Sequence, residues 1–377
     1  MFVSKKFAAL VVAGAFALTA CGGSGGSGGS GDTAASAGSG AQQSPAAANP
    51  RIKLVINGGL GDKSFFDSAY EGLQRAQQEL GYELKVVELG SDRTKWEPGF
   101  EDAAAADDYD ILAAGTFDVV DYIGKLAPEY PGKKFWVFDA PVDYGGANGA
   151  CSNKCANVYS VTFKQNEGGF LAGFLAQKAV DAKALPGAES LTKVGVIGGV
   201  KIPVIDDFIV GFKAGYSQAG GKDSDVLVQY VGGDKPFGDP AKGKEVSTAM
   251  YGQGAAIVWP VAGLSGLGVF ESAVASKRYT FGIDSDQYQT LTDPAQRGTL
   301  ITSILKNVGN ALFKAAQQEK SGSVKYGAIE SVGLAEDAVG YVDDAHFKQL
   351  VPEQVRQELQ EAAEKVKSGA VKVPSAF

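Results

Sequence analysis

Short apolar runs recur along the chain from Pro50 onward, each bounded by glycine, proline or charged residues. The run 52–57 reads IKLVIN, which predicts a buried strand. Behind it Phe65, Ala69, Leu73, Ala76 and Leu80 recur at three- and four-residue steps, the spacing of one helical face. Gly81 is a helix stop. The alternation then repeats. Residues 85–89, 110–115, 134–139, 157–163, 193–199, 225–231, 255–261 and 279–284 read as strands, with helical stretches between most of them. Phe170, Leu171, Phe174 and Leu175 give one helix an apolar stripe, and Val204, Phe208, Phe212 and Tyr216 give another. Strands alternating with helices predict βαβ units and parallel sheets covered on both faces.

So many strands would overfill one sheet, and two sheets of about five or six strands, each with its own core, are more economical. The expected fold class is therefore α/β, with two doubly wound parallel-sheet lobes and a ligand cleft between them. In such sheets ligands bind beyond the carboxyl ends of the strands. Glycines crowd those ends, at Gly58-Gly59, Gly115, Gly198-Gly199 and Gly263. They read as places where backbone can approach a ligand closely.

The first twenty residues have a different character. Lys5 and Lys6 precede an apolar run over 7–18, which ends at Leu18-Thr19-Ala20-Cys21. The run is too short to span a bilayer comfortably, and a small-residue cleavage site follows it, so 1–20 reads as an export signal. A cysteine directly after such a site resembles a bacterial lipobox, in which Cys21 is acylated. Residues 22–49 are mostly glycine, serine and alanine and cannot bury enough apolar surface to fold. They form a tether whose root-mean-square reach is roughly 30 Å. The expected location is the cell membrane, lipid-anchored on its extracytoplasmic face.

Composition narrows the chemistry. Acidic residues outnumber basic ones, 43 to 35, for a net charge of -8. Nucleic-acid binding proteins carry the opposite balance, so no nucleic-acid partner is expected. The single histidine, His346, leaves no His-rich metal site. Cys151 and Cys155 lack the further ligands that zinc would need, and outside the cytoplasm they read as a structural disulfide. No metal or cofactor is expected.

The segment 58–64, GGLGDKS, fails as a phosphate loop because Asp62 separates Gly61 from Lys63. It fails as a dinucleotide fingerprint because Ser64 stands where the third glycine belongs. What remains is a strand, a glycine turn and a helix capped by Asp62 or Ser64. Phe65 at that helix start reads either as core or as a ring lining the cleft for a flat ligand. Asp284 ends a strand, where an acceptor pair could grip ligand hydroxyls or a cation, although the stretch lacks the spacing of an EF-hand loop. Lys306 lies in an apolar stretch, where a lone lysine usually snorkels to the surface. Asp206-Asp207 and Asp343-Asp344 read as solvated helix caps. No G-x-S-x-G elbow and no nucleophile–base pair is present, so an enzyme is not expected.

Several segments, in order and spacing, carry a family resemblance. They are Gly61-Asp-Lys-Ser-Phe65 with Ser68-Ala-Tyr-Glu-Gly72, then Phe135-Trp-Val-Phe-Asp139, then residues 160–173. Gly198-Gly-Val-Lys-Ile-Pro203 with Phe208 and Gly211-Phe212, then Gly282-Ile-Asp-Ser-Asp-Gln287, and Thr302-Ser-Ile-Leu-Lys-Asn307 complete the set. Over residues 50 to about 345 the chain resembles the Bmp (basic membrane protein) family of substrate-binding lipoproteins, which includes purine nucleoside receptors of ABC transporters. The resemblance implies a type I periplasmic binding protein fold, with lobes joined by three crossovers. The lobes are expected at 50–158 with 285–322, and at 159–284 with 323–377. It implies stacking of a base between Phe65 and Phe208, and ribose contacts at Gly263, Asp284 and Lys306, with a further acid at Asp139. The family's base-reading Asp-Asn pair falls on Ile56-Asn57, so only Asn57 is kept. The implied partners are a nucleoside or related small molecule, ABC permease and ATPase subunits, and the membrane through the anchor. The alternatives are a sugar or other polar ring on the same scaffold, or a ligand sensor for a membrane receptor. Trp96 and Trp259 have no assigned role.

Overall fold

The computed structural model describes residues 49–147 and 150–377. The expected export signal, Cys21 and nearly all of the tether lie outside the described residues. The elements in chain order begin with β1 (Arg51–Ile56), α1 (Phe65–Leu80), β2 (Glu83–Glu88), α2 (Trp96–Ala105), β3 (Ile111–Gly115), α3 (Val120–Glu129), β4 (Lys134–Phe138) and β5 (Val158–Phe163). Next come α4 (Gln165–Asp181), β6 (Lys193–Gly198), α5 (Pro203–Gln218), β7 (Val226–Tyr230), α6 (Pro240–Gly252), β8 (Ala255–Val261), α7 (Leu267–Ser276) and β9 (Tyr279–Asp284). The chain ends with α8 (Gln287–Thr290), α9 (Pro294–Thr299), β10 (Leu300–Lys306), α10 (Val308–Lys320), β11 (Ala328–Val332), β12 (Val339–Tyr341), α11 (Ala345–Leu350) and α12 (Glu353–Lys367).

These strands form two six-stranded sheets, ordered β11-β5-β4-β3-β1-β2 and β12-β10-β9-β8-β6-β7. All pairs are parallel except β10 with β12. The central strands, such as β3 (ILAAG) and β8 (AAIVWPV), are buried along their whole length, as parallel strands under two helical layers must be. Each sheet reverses its winding once, between β1 and β3 in the first and between β6 and β8 in the second. The crevice at such a reversal is where this architecture binds ligands.

Sheet membership moves the expected lobe boundaries. β5 belongs to the first sheet, so the first crossing follows Phe163 and not residue 158. β10 pairs with β9 in the second sheet, so the second crossing follows Lys306 and not Asp284. β11 joins the first sheet and β12 the second, so the third crossing lies between them and not at 322. The physical reason is strand pairing. An apolar strand pairs with its neighbour before the chain can leave the lobe, and LITSILK, held between β9 and β12, is such a strand.

The second lobe's α4 and α5 cross at backbone contact. A Cβ on Gly169 would lie 2.2 Å from the Phe208 carbonyl oxygen, and one on Gly211 would lie 2.0 Å from that of Asn166. This contact fixes the start of α5. Asp207 there is not a solvated cap: it is 1% exposed and accepts from Asn166 N, Ser375 Oγ and Ala376 N. Cys151 and Cys155 are joined by a disulfide in the loop before β5.

Candidate ligand-binding cleft

The carboxyl ends of both sheets open onto one cavity of about 350 Å³. From the first lobe come Asn57 after β1, Thr116 and Asp118 after β3, Asp139 after β4, and Phe65 at the start of α1. From the second come Phe208 on α5, Gly263 after β8, Asp284 at the end of β9 and Lys306 at the end of β10. All seven positions named for the ligand in the sequence therefore line this one cavity.

The turn before α1 is built by carboxylates. Asp62 accepts from the backbone N–H groups of Ser64, Phe66 and Asp67, while Asp67 accepts from those of Gly61 and Lys63. Ser64 makes no capping bond through its side chain. This web aims Phe65, half-buried, into the cavity, with its ring 5.6 Å from that of Phe138. Phe208 is held from behind by the edge of Trp259, 5.6 Å away, whose indole N–H donates to Gly282 O. Trp259 is thus a backing residue in the core. Trp96 lines the cavity itself, pinned by a 2.8 Å bond from its Nε1 to Gly90 O.

Of the strand-end glycines, Gly58, Gly59 and Gly263 line the cavity, while Gly115 and Gly199 make room for rings of the protein. A Cβ on Gly115 would lie 2.1 Å from the Phe138 ring, and one on Gly199 would lie 2.3 Å from that of Phe237. The strand register causes this, since Gly115 sits directly beside Phe138. Gly263 differs, because its φ of +52° is one that side chains rarely adopt.

Four residues with side chains also hold positive φ here: Lys63 at 54°, Thr116 at 91°, Asp139 at 76° and Asp284 at 66°. Such strain persists only where the surroundings over-determine it, and it clusters at ligand clamps. The strained Lys63 presents its carbonyl across the cleft, where Ser285 Oγ donates to it at 3.0 Å and Gln287 Nε2 at 3.1 Å.

Lys306 is 3% exposed, so it does not snorkel. Its Nζ donates to Asp139 Oδ1 at 2.6 Å, an ion pair between the two lobes. The ammonium also lies 4.9 Å from the ring centre of Phe65, 5.3 Å from Phe208 and 5.8 Å from Phe163. Burial pushes the Asp284 carboxyl up to about 7 against the pull of Lys306, and nearby Asp62 and Asp139 add to the rise. A carboxyl so placed gains most by accepting from ligand hydroxyls, and the ammonium keeps donors beyond the one Asp139 takes.

Thr116, Asp118 and Arg93 are among the cavity residues that the sequence reading misses. Asn57 Nδ2 donates to Thr116 Oγ1 at 3.1 Å, and Arg93 pairs with Asp118 while its guanidinium lies 4.5 Å from the Trp96 ring. The signal was available, because Thr116–Asp118 directly follows the run ILAAG at a strand's carboxyl end. Among the described residues no cluster fit to hold a metal is present and no helix is long and apolar enough to cross a membrane.

Residues 49–376 match the Bmp family, described as ABC transporter substrate-binding protein PnrA-like. Basic membrane protein A of Borreliella burgdorferi is 29% identical over 332 residues, covering 86% of this chain and 88% of that one. The CD4+ T-cell-stimulating antigen of Listeria innocua is 28% identical over 385 residues, covering 97% and 96%. Among solved structures, an ABC transporter solute-binding protein from Aeropyrum pernix is similar with a TM-score of 0.73 at 25% identity, covering 86% and 94%. One from Agrobacterium vitis, bound with α-D-tagatopyranose, has a TM-score of 0.57 at 15% identity, covering 82% and 98%, a likeness of fold alone. The fold is that of type I periplasmic binding proteins, and the family consists of extracytoplasmic binding proteins rather than enzymes. A cleft built at two matching sheet reversals, with a match spanning the whole described body, makes the chain a member of the Bmp family of ABC transporter substrate-binding proteins.

Proposed function

We propose that the protein binds a purine nucleoside between its lobes and delivers it to the permease and ATPase subunits of an ABC importer, held at the membrane by acylated Cys21 and the tether 21–49. One observation carries the ligand assignment. Phenyl rings from opposite lobes, Phe65 and Phe208, line a cavity that also holds Asp139, Asp284 and Lys306. Aromatic rings suit a flat base. Asp284 accepts from ribose hydroxyls, and Lys306 donates to a ribose oxygen while keeping its bond to Asp139. Each charge-assisted bond contributes ~1.5–3 kcal/mol.

The test is calorimetric titration of the protein with a nucleoside, its free base, ribose and tagatose. The nucleoside is expected to bind at least tenfold more tightly than its free base or either sugar. Phe65→Ala is expected to weaken it at least tenfold, by lost stacking and lost apolar cover. Tighter binding of a free sugar, with Phe65→Ala without effect, would replace the nucleoside by a sugar.

A further inference from the structure

The strand order lays a scale along the cleft. In the first sheet β2, β1, β3 and β4 are successive neighbours, so their ends span three strand spacings, about 14 Å. Asp139 marks the β4 end and pairs with Lys306. The charges that act on Asp284 are Lys306, Asp62 and Asp139. A separate charged pair, Arg93 with Asp118, comes from the loops after β2 and β3. If the sugar lies with Asp139, Asp284 and Lys306, the base points its edge toward Asn57, Thr116 and Asp118.

Three polar side chains there, Asp118, Arg93 and Asn57, set the pattern of donors and acceptors. Asp118 has 12% of its side chain exposed and lines the cavity. Arg93 Nη2 donates to its Oδ1. Its Oδ2 takes no hydrogen bond among the described residues. An ionised carboxylate only accepts, so the wall asks the ligand for N–H donors. Asn57 spends one amide proton on Thr116 and has another to give to a ligand carbonyl. A 2-amino-6-oxopurine offers two adjacent donors, at N1 and the 2-amino group, and a carbonyl acceptor beside them. A 6-aminopurine has an unprotonated N1 in that position and would set a lone pair against the carboxylate.

We infer that Asp118 is a specificity-determining residue that selects guanosine-type nucleosides over adenosine, with Arg93 positioning it and favouring its charge. This rests on the nucleoside reading of the cleft and goes further by naming the edge and its reader. Burial raises the Asp118 carboxyl from its ordinary value while Arg93 opposes the rise, so the arginine matters most as pH falls.

The experiment titrates guanosine, inosine and adenosine into wild type, Asp118→Asn and Arg93→Gln, each checked for an unchanged melting profile. Wild type is expected to prefer guanosine over adenosine by roughly ten- to hundredfold, with inosine, which lacks the 2-amino group, between them. Asp118→Asn should erase that ratio, because an amide can pair with adenine but not with two adjacent donors. Arg93→Gln should cut guanosine affinity more at pH 6 than at pH 8, which a purely structural role would not do. The wild-type ratio needs no variant, so a misfolded mutant does not rescue the idea. Equal affinity for guanosine and adenosine overturns the edge assignment and leaves the nucleoside site standing. Binding of none of the three overturns both.

Discussion

Among the described residues two lysines are buried, Lys53 at 1% exposure and Lys306 at 3%. Lys53 sits in β1, and its ammonium is enclosed by its own lobe. It donates to Ala103 O at 2.9 Å, pairs with Asp108 and lies 4.6 Å from the Tyr109 ring centre. Lys306 ends a strand of the second sheet, yet its partner Asp139 ends one of the first. The rings of Phe65 and Phe208 near it come from opposite lobes and line the cavity. Burial alone therefore does not distinguish a scaffold cation from a binding one. The distinction lies in where the partners come from and whether donors are left facing open space.

The sharpest way to break this contrast is Lys306→Met, which keeps the stem and removes the charge. Asp139 and Asp284 would then share the buried end of the cleft without their cation. Removing one member of a buried charge pair costs about 2–5 kcal/mol. Nucleoside affinity is expected to fall at least thirtyfold by calorimetry, while affinity for the free base falls much less. A loss below threefold would make Lys306 a scaffold lysine like Lys53.

A smaller effect is expected from Asp284→Asn, and it carries a pH signature. The carboxyl is raised from 3.8 to about 7, chiefly by burial. The charged form therefore costs folding free energy: the cost is absent below about pH 4, grows as pH rises and is complete above about 7. Asp284→Asn is expected to raise the melting temperature of the ligand-free protein by roughly 2–5 °C at pH 8, and not at pH 4. Ligand hydroxyls favour the ionised form, so binding near pH 6 should release a proton. Wild-type affinity should then fall roughly tenfold from pH 8 to pH 6, while the variant's stays flat. Calorimetry in buffers of different ionisation enthalpy measures that proton directly.

The same contrast explains what could be read from the chain. The βαβ alternation and most strand positions follow from local apolar runs, because a strand under two helical layers must be continuously hydrophobic. The lobe boundaries did not follow. LITSILK reads as well as a helix start as it does a strand, and only pairing with β9 decides. The residue type at a strand end points to Asp284, whereas Asp139 follows only from the family resemblance. Lys306 was obscured because a lysine in apolar sequence is usually a snorkelling one, and its partner Asp139 lies 167 residues away. Asp118 and Arg93 were missed for a similar reason, as their pairing depends on β2 and β3 flanking β1 in space. Of the strand-end glycines, Gly58, Gly59 and Gly263 do line the cavity, whereas at Gly115 and Gly199 a Cβ would strike a ring on a neighbouring strand or loop, which the chain's own order does not reveal.

The smallest expected effect belongs to Lys53→Met, the other side of the comparison. The substitution fills nearly the same volume and removes the ammonium. Asp108 then keeps Lys85 on Oδ2, and its side chain is 38% exposed, but its buried Oδ1 loses the cation that faces it. Ala103 O loses its donor, a loss of about 1 kcal/mol. Lys53 and, after it, Lys85 hold the Asp108 carboxyl down at about 2. A depressed carboxyl stabilises the fold above its ordinary value near 4, and that contribution fades as pH falls toward 2. Urea unfolding at pH 7 is therefore expected to show a modest destabilisation that narrows in acid, with nucleoside affinity within twofold of wild type. An affinity loss comparable to that of Lys306→Met would mean that the first lobe's packing, and not the origin of the partners, governs the cleft.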